Sequence, residues 1–246
     1  MKIALFSDIH ANLPAFEAML QDMDNQKPDA VYCLGDLVGY NIWPNEVIAE
    51  IRRRGIATLK GNHDEKVEKL ITTADSLNEP GKKYAYHLID ESGREFLKTL
   101  PAHIKLEYKL SNDQLNLVLA HGSTRSVDEY VLVDTEESYV LEMMKEAHAD
   151  LLFIGHSHKP YHRILNTEDG KFKHVVNLGS VGKPKDKDQR SCYVILTLSL
   201  SNSSLLDKES VKVEFRRVEY DVEKAAKAIE ASLLPYEFAE ALRLAK

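Results

Sequence analysis

"KIALFSDIHANLPAFEAMLQDMDNQKPDAVYCLGD", residues 2–36, holds a strand pattern, a helix pattern and a second strand pattern in succession. KIALF (2–6) is a short apolar run. In LPAFEAMLQDMDNQ (13–26), Leu13, Phe16, Met19, Leu20 and Met23 recur at the three-to-four-residue spacing that lines one face of an α-helix. DAVYCL (29–34) is strand-like again, NEVIAEIRRR (45–54) helical and GIATLK (55–60) strand-like. This β-α-β-α-β rhythm predicts parallel strands joined by crossover helices, and so an α/β fold.

Further along the pattern changes. Residues 65–100 carry no strand signal and read as helical segments around the break NEPGKK (78–83), an insert or rim beside the N-terminal sheet. From residue 103 six strand candidates follow: IKLEYKL (104–110), LNLVLA (115–120), ADLLFIG (149–155), KHVVNLG (173–179), SCYVILTLS (191–199) and KVEFRRVEY (212–220). One clear helix, 135–148, lies among them, and the turns SND (111–113) and TEDG (167–170) suggest antiparallel hairpins. A parallel first half and a more antiparallel second half predict two sheets packed together and covered by helices. The tail reads as two helices split at Pro235. Without an internal repeat or a low-complexity linker, residues 1–246 read as one domain.

Composition narrows the function classes. Hydrophobic residues make up 43% and charged residues 29%, ordinary for a chain that folds around a core. The formal net charge is −7, from 32 basic and 39 acidic residues, with no Lys/Arg block; a nucleic-acid polymer is not the expected partner. No apolar run approaches the roughly 20 residues that cross a bilayer, and Asp8 and His10 interrupt the N-terminal apolar run early. A cytoplasmic location away from membranes is expected. Cys33 and Cys192 sit in β-like apolar runs, where buried free thiols are expected rather than a disulfide.

Chemistry-bearing residues gather at one kind of place. Five expected strands end in side chains able to bind a metal: Asp8 and His10; Asp36; Asn62, His63 and Asp64; His121; and His156 and His158. Ligand crevices of open α/β sheets lie beyond the carboxyl ends of strands, so these ends can meet on one rim. Each also has a bland reading: Asp8 as a helix cap near Asn12, Asp36 as a turn residue, GNHD (61–64) as a turn and cap, His121 as an interior histidine. Repetition at five strand ends argues against coincidence. His87, His103, His148, His162 and His174 lie in other contexts and are expected to be structural.

In order, Asp8-Ile9-His10, Gly35-Asp36, Gly61-Asn62-His63-Asp64, His121-Gly122 and Gly155-His156-Ser157-His158 resemble the signature of the calcineurin-like metallophosphoesterase superfamily. VNLGSVGKPKDKDQRSCYVIL (176–196) resembles its small bacterial phosphodiesterase-type branch. The resemblance implies a four-layer α/β/β/α sandwich of two mixed sheets, with the helical segment of about 65–100 at the active-site rim. It also implies a dinuclear centre: Asp8, His10 and His158 on one metal, Asn62, His121 and His156 on the other, Asp36 bridging. His63 is then the general acid, and Asp64 either orients its ring or caps the next helix. Ala11-Asn12 and Leu178-Gly179-Ser180 depart from the usual Gly-Asn and Pro-Gly-Ser. Lys183, Lys185 and Arg190 are either phosphate contacts or ordinary solvated cations.

The ligand set is chemically coherent. Imidazole and carboxylate without thiolate suit Mn, Fe, Zn, Ni or Co better than Mg or Ca. Two divalent ions less two Asp charges leave about two positive charges, which a hydroxide and a phosphodiester anion balance. The expected activity is hydrolysis of a small phosphodiester by a metal-bound hydroxide. A phosphomonoesterase or protein phosphatase with the same centre is the alternative within enzymes. A catalytically silent scaffold is the alternative of another class, and the full set of seven ligands plus His63 argues against it.

Overall fold

The computed structural model of the chain describes residues 1–110 and 113–246. Strand β1 (Lys2–Phe6) leads into helix α1 (Leu13–Gln26), strand β2 (Ala30–Cys33), helix α2 (Pro44–Arg54) and the short strand β3 (Ala57–Thr58). β1, β2 and β3 are parallel neighbours, as the opening stretch predicts. Alternation in β1 decides what each face meets. Ile3 and Leu5 join Leu117, Leu119 and Phe153 in a core between two sheets, while Ala4 and Phe6 pack against Phe16 and Met19 of α1. Asn12 caps α1 by accepting from the Ala15 amide at 3.2 Å, so Asp8 is not the cap.

Helices then fill residues 62–98: α3 (Asn62–Glu68), a short 3-10 turn at Ala74–Asn78, α4 (Tyr84–His87) and α5 (Glu91–Lys98). Strands β4 (His103–Lys109), β5 (Gln114–Ala120), β6 (Leu151–Ile154), β7 (Tyr161–Asn166) and β8 (Phe172–Asn177) form a second sheet in the order β4-β5-β6-β8-β7. Helix α6 (Glu137–Glu146) covers its outer face through Val140, Met143 and Met144. β9 (Ser191–Leu198) and β10 (Val211–Val218) complete the first sheet as β10-β9-β1-β2-β3, and α7 (Val222–Glu230) packs on α8 (Tyr236–Leu244). Helices, sheet, sheet and helix give the four layers. Among the described residues no helix is long and apolar enough to cross a membrane.

Two details differ from the sequence reading. The sheets do not divide the chain at residue 103, because β9 returns to pair antiparallel with β1. The reason lies in its composition: SCYVILTL is buried along nearly its whole length, with Tyr193 and Ile195 toward the helices and Val194 and Leu196 between the sheets. A strand apolar on both faces belongs inside a sheet. The second sheet is mixed, as expected: β5, β6 and β8 run parallel, while β4 and β7 pair antiparallel at its edges. Finally, β7 was not anticipated; this edge strand alternates irregularly, and the turn at 167–170 joins it to β8. The turn expected at 111–113 falls mostly outside the described residues. Cys33 and Cys192 are buried free thiols, as expected.

Candidate metal centre

The strand ends do meet. His158 Nε2 lies 3.1 Å from Asp8 Oδ1 and 3.1 Å from His10 Nε2, and His10 Nε2 lies 3.6 Å from both Asp8 Oδ1 and Asp36 Oδ2. On the far side of Asp36, His121 Nε2 is 3.4 Å from Oδ2 and 3.2 Å from Asn62 Oδ1. The His156 and His121 rings are 5.3 Å apart. The two histidines of GHSH therefore face different groups: His158 stands with Asp8 and His10, and His156 with His121. Asp36 reaches both groups.

Backbone geometry makes this convergence possible. Asp8, His10, Asp36, His156 and His158 all have left-handed φ, between 51° and 64°. Such a conformation costs a non-glycine residue on the order of 1–2 kcal/mol, and strain concentrated at one place marks a site the fold is built to hold. The motif glycines leave room for the carboxylates. A Cβ on Gly61 would stand 2.2 Å from Asp36 Oδ1, and one on Gly155 would stand 2.6 Å from Asp8 Oδ2. Those same oxygens bind backbone: Asp36 Oδ1 accepts from the His63 amide at 2.7 Å, and Asp8 Oδ2 from the His156 amide at 3.1 Å.

Each aspartate thus spends one oxygen on the neighbouring motif and leaves the other bare. Asp8 Oδ1, Asp36 Oδ2 and His156 Nε2 are buried without a hydrogen-bond partner. The histidines explain why a cation fits there. His10 Nδ1 faces the Val38 carbonyl at 3.0 Å, His121 Nδ1 the Leu34 carbonyl at 2.7 Å, and His158 Nδ1 the Lys183 carbonyl at 2.6 Å. A carbonyl only accepts, so these nitrogens hold the ring protons and each neutral ring turns an Nε2 lone pair inward. Lone pairs and bare carboxylate oxygens within 3.6 Å repel one another until positive charge joins them. Without a metal a proton can supply that charge: burial opposes charging His121, yet Asp36 and Asp8 push its pKa up to about 10, so a bound cation would take the place of the Nε2 proton. Burial would raise Asp8, but positive charge on His158 and hydrogen bonds from His10 and His158, when those rings take up a proton in the absence of a metal, hold it well below the usual carboxylate range. The donor set suits divalent metal ions.

Comparison with known proteins points the same way. Residues 1–201 match the calcineurin-like phosphoesterase superfamily domain. The chain belongs to that family. An uncharacterized protein of Methanocaldococcus jannaschii is 32% identical, covering 99% of this chain and 98% of its own. Two crystal structures share the fold of this calcineurin-like chain. A metallophosphoesterase from Sphaerobacter thermophilus superposes with a TM-score of 0.78 at 24% identity, over 100% of this chain and 99% of its own. A hypothetical protein from Pyrococcus horikoshii gives 0.75 at 25% identity, over 98% and 97%.

Beside the centre of this calcineurin-like chain, His63 is held between two tyrosines. Its ring is 4.8 Å from that of Tyr40 and 5.9 Å from that of Tyr86, and its Nδ1 lies 2.6 Å from the Tyr86 hydroxyl. Burial pushes the His63 pKa down to about 3 against the pull of Asp36. Asp64 does not orient this ring. Its Oδ2 accepts from the Asp36 and Gly61 amides at 2.8 and 2.9 Å, and its Oδ1 accepts from Leu37 at 2.9 Å. Of the two roles considered for Asp64, the geometry gives it the cap, fastening the Asp36 loop to α3.

The three flanking cations fare differently. Lys183 is buried, 4.8 Å over the Tyr40 ring and 3.3 Å from the Lys246 carbonyl oxygen. Burial lowers the Lys185 pKa while Asp8 and Asp36 act to raise it, so its ammonium lies within electrostatic reach of the centre. Arg190 is instead taken up by Asp188 at 2.7 Å. Sequence reasoning missed Tyr40, Tyr86 and Tyr130, whose ring lies 4.2 Å from that of His156. Of the three, Tyr40 alone follows a motif closely, four residues after Asp36.

Proposed function

We propose that this chain hydrolyses a small phosphodiester using two divalent transition-metal ions, with Asp8, His10 and His158 holding one, Asn62, His121 and His156 the other, and Asp36 shared. The observation that carries the reading is the pair of bare carboxylate oxygens, Asp8 Oδ1 and Asp36 Oδ2, buried among inward-facing imidazole nitrogens. When bound, such ions supply Lewis acidity toward a phosphoryl oxygen and a water made acidic enough to attack near neutral pH. Everything else falls to the chain. Backbone carbonyls of Leu34, Val38 and Lys183 hold the imidazoles in the tautomer that leaves Nε2 unprotonated.

His63 is the group to move a proton: its neighbour Asn62 belongs to the ligand set, and a nitrogen of its own ring lies within 4.8 Å of ligand atoms of His10 and Asp36 without being assigned to either metal. Donating to the leaving oxygen as the P–O bond breaks is worth typically 10² to 10⁴ in rate. An incoming phosphoester anion beside the ring favours the protonated imidazole that burial alone opposes. Charge balance favours a diester: four positive charges less Asp8, Asp36 and a hydroxide leave one, the charge of a phosphodiester. The Lys185 ammonium supports the monoester alternative, because it would add charge for a dianion.

Rates on bis-(p-nitrophenyl) phosphate and p-nitrophenyl phosphate, measured with added Mn and after chelation, test this. Faster hydrolysis of the diester, lost on chelation, is expected. A large excess on the monoester would overturn the diester preference. Absence of hydrolysis with Mn, Fe, Zn, Ni and Co alike would overturn the enzyme reading and favour a scaffold.

A further inference from the structure

Residues 65–100 have no motif of their own, yet they deliver one atom to the centre. Tyr86 lies in the four-residue helix α4, and Arg94 of α5 fixes that helix by donating to the Tyr86 carbonyl at 2.6 Å and to the Ile89 carbonyl at 3.1 Å. The Tyr86 side chain is buried, its ring plane is 25° from that of His63, and its hydroxyl stands 2.6 Å from Nδ1. We infer that Tyr86 is the positioning residue for His63, holding the ring by Nδ1 so that Nε2 is the nitrogen that serves the leaving oxygen.

Elimination supports the assignment. Neither Asp64, next to His63 in sequence, nor Asp36, near it in space, holds the ring: Asp64 has both oxygens on backbone amides, and Asp36 gives Oδ1 to the His63 amide while Oδ2 faces His10 and His121. Tyr40 lies against the ring without bonding to it. A His63 nitrogen falls within 4.8 Å of ligand atoms of His10 and Asp36. With Nδ1 engaged by Tyr86, Nε2 is the nitrogen left for substrate.

A phenol suits this task for a physical reason. Its oxygen accepts from Nδ1–H in the protonated ring, and it still accepts from Nδ1–H in the neutral ring that remains once the Nε2 proton has passed to the leaving oxygen. The hydrogen bond survives the transfer, so the ring need not turn. A carboxylate there would do the same but would add a negative charge to a centre whose charges already balance against a diester.

This inference rests on the reading of His63 as general acid, and the experiment keeps the two apart. Tyr86→Phe removes one oxygen and keeps the stacked ring. Its kcat and KM, with those of His63→Ala and the double variant, are measured on aryl methyl phosphates whose leaving groups run from p-nitrophenolate to p-methoxyphenolate. Acid assistance matters most for the poorer leaving group. Tyr86→Phe is expected to lose little on the nitrophenyl ester and about 10-fold or more on the methoxyphenyl ester, within the range general acids supply. KM and metal content are expected to stay unchanged, and the double variant should match His63→Ala. In the metal-free protein, the ¹⁵N shift of His63 Nδ1 should move in Tyr86→Phe. A uniform loss across the series, a loss added to that of His63→Ala, or an unmoved Nδ1 shift would overturn the Tyr86 role alone. A His63→Ala variant with no leaving-group dependence would remove the acid reading, and the Tyr86 inference with it.

Discussion

Two groups of histidines lie close together in this chain, and only one is built for a metal. His162 on β7 and His174 on β8 put their rings 5.2 Å apart, with His162 Nε2 2.9 Å from His174 Nδ1. One nitrogen gives and the other accepts, so the rings satisfy each other. At the strand ends, His10 and His158 also stand nitrogen to nitrogen, at 3.1 Å, but each has already given its Nδ1 proton to a carbonyl. Neither can donate to the other. What separates the groups is therefore the backbone carbonyl that fixes the proton, together with the carboxylate oxygen left bare beside it.

Asp36→Asn tests that distinction most severely. The amide oxygen can still accept from the His63 backbone, but the negative charge facing both His10 and His121 is gone. Metal content by elemental analysis should fall. Activity should drop by more than the roughly 10- to 100-fold typical of losing a group that only orients a metal-binding side chain. His162→Gln serves as the control and should leave metal content and activity unchanged. If Asp36→Asn keeps its metal, bare carboxylate oxygens are not what distinguishes the two groups.

Gly61→Ala asks whether the convergence is imposed by backbone fit. All seven candidate ligands stay, but the new Cβ would sit 2.2 Å from Asp36 Oδ1 and 2.3 Å from the Asp36 amide. Overpacking at a tight contact costs typically about 1–3 kcal/mol. The denaturant midpoint of the metal-free protein should fall accordingly, and metal affinity should weaken as Asp36 shifts. Wild-type stability and affinity in this variant would show that the loops tolerate looser packing than the distances indicate.

How much of this was legible in the sequence depends on where each partner lies. The seven candidate ligands stood out because they cluster at the ends of five expected strands, a repetition that is hard to read otherwise. The carbonyls that set their tautomers did not stand out. His121 uses the carbonyl of Leu34 from a distant part of the chain, and a main-chain oxygen carries no residue signature. Tyr86 was invisible for a related reason: a four-residue helix shows no periodicity, and only the fold brings it to His63. Asp64 was ambiguous, since GNHD permits a cap and an orienting carboxylate equally; three amide donors settle which geometry it has. β9 is legible as a strand, but a run apolar on both faces does not name its neighbour, and only the fold pairs it with β1.

The smallest effect concerns the second group. Burial and the neighbouring His162 push His174 from 6.5 down to about 4, so the folded chain holds this ring neutral where an unfolded chain would protonate it. Between those two values the unfolded state binds a proton that the folded state refuses, and stability falls as pH drops through that window. Replacing the pair, as His162→Leu with His174→Leu, removes the penalty. Comparing metal-free proteins keeps the strand-end histidines the same on both sides. Denaturant midpoints at pH 7.5 and pH 5 should show the variant losing less on acidification than the wild type, by a margin that vanishes at neutral pH. Parallel losses would mean that the pair takes up protons without opening the fold, and that its rings are less firmly matched to each other than their 2.9 Å contact implies.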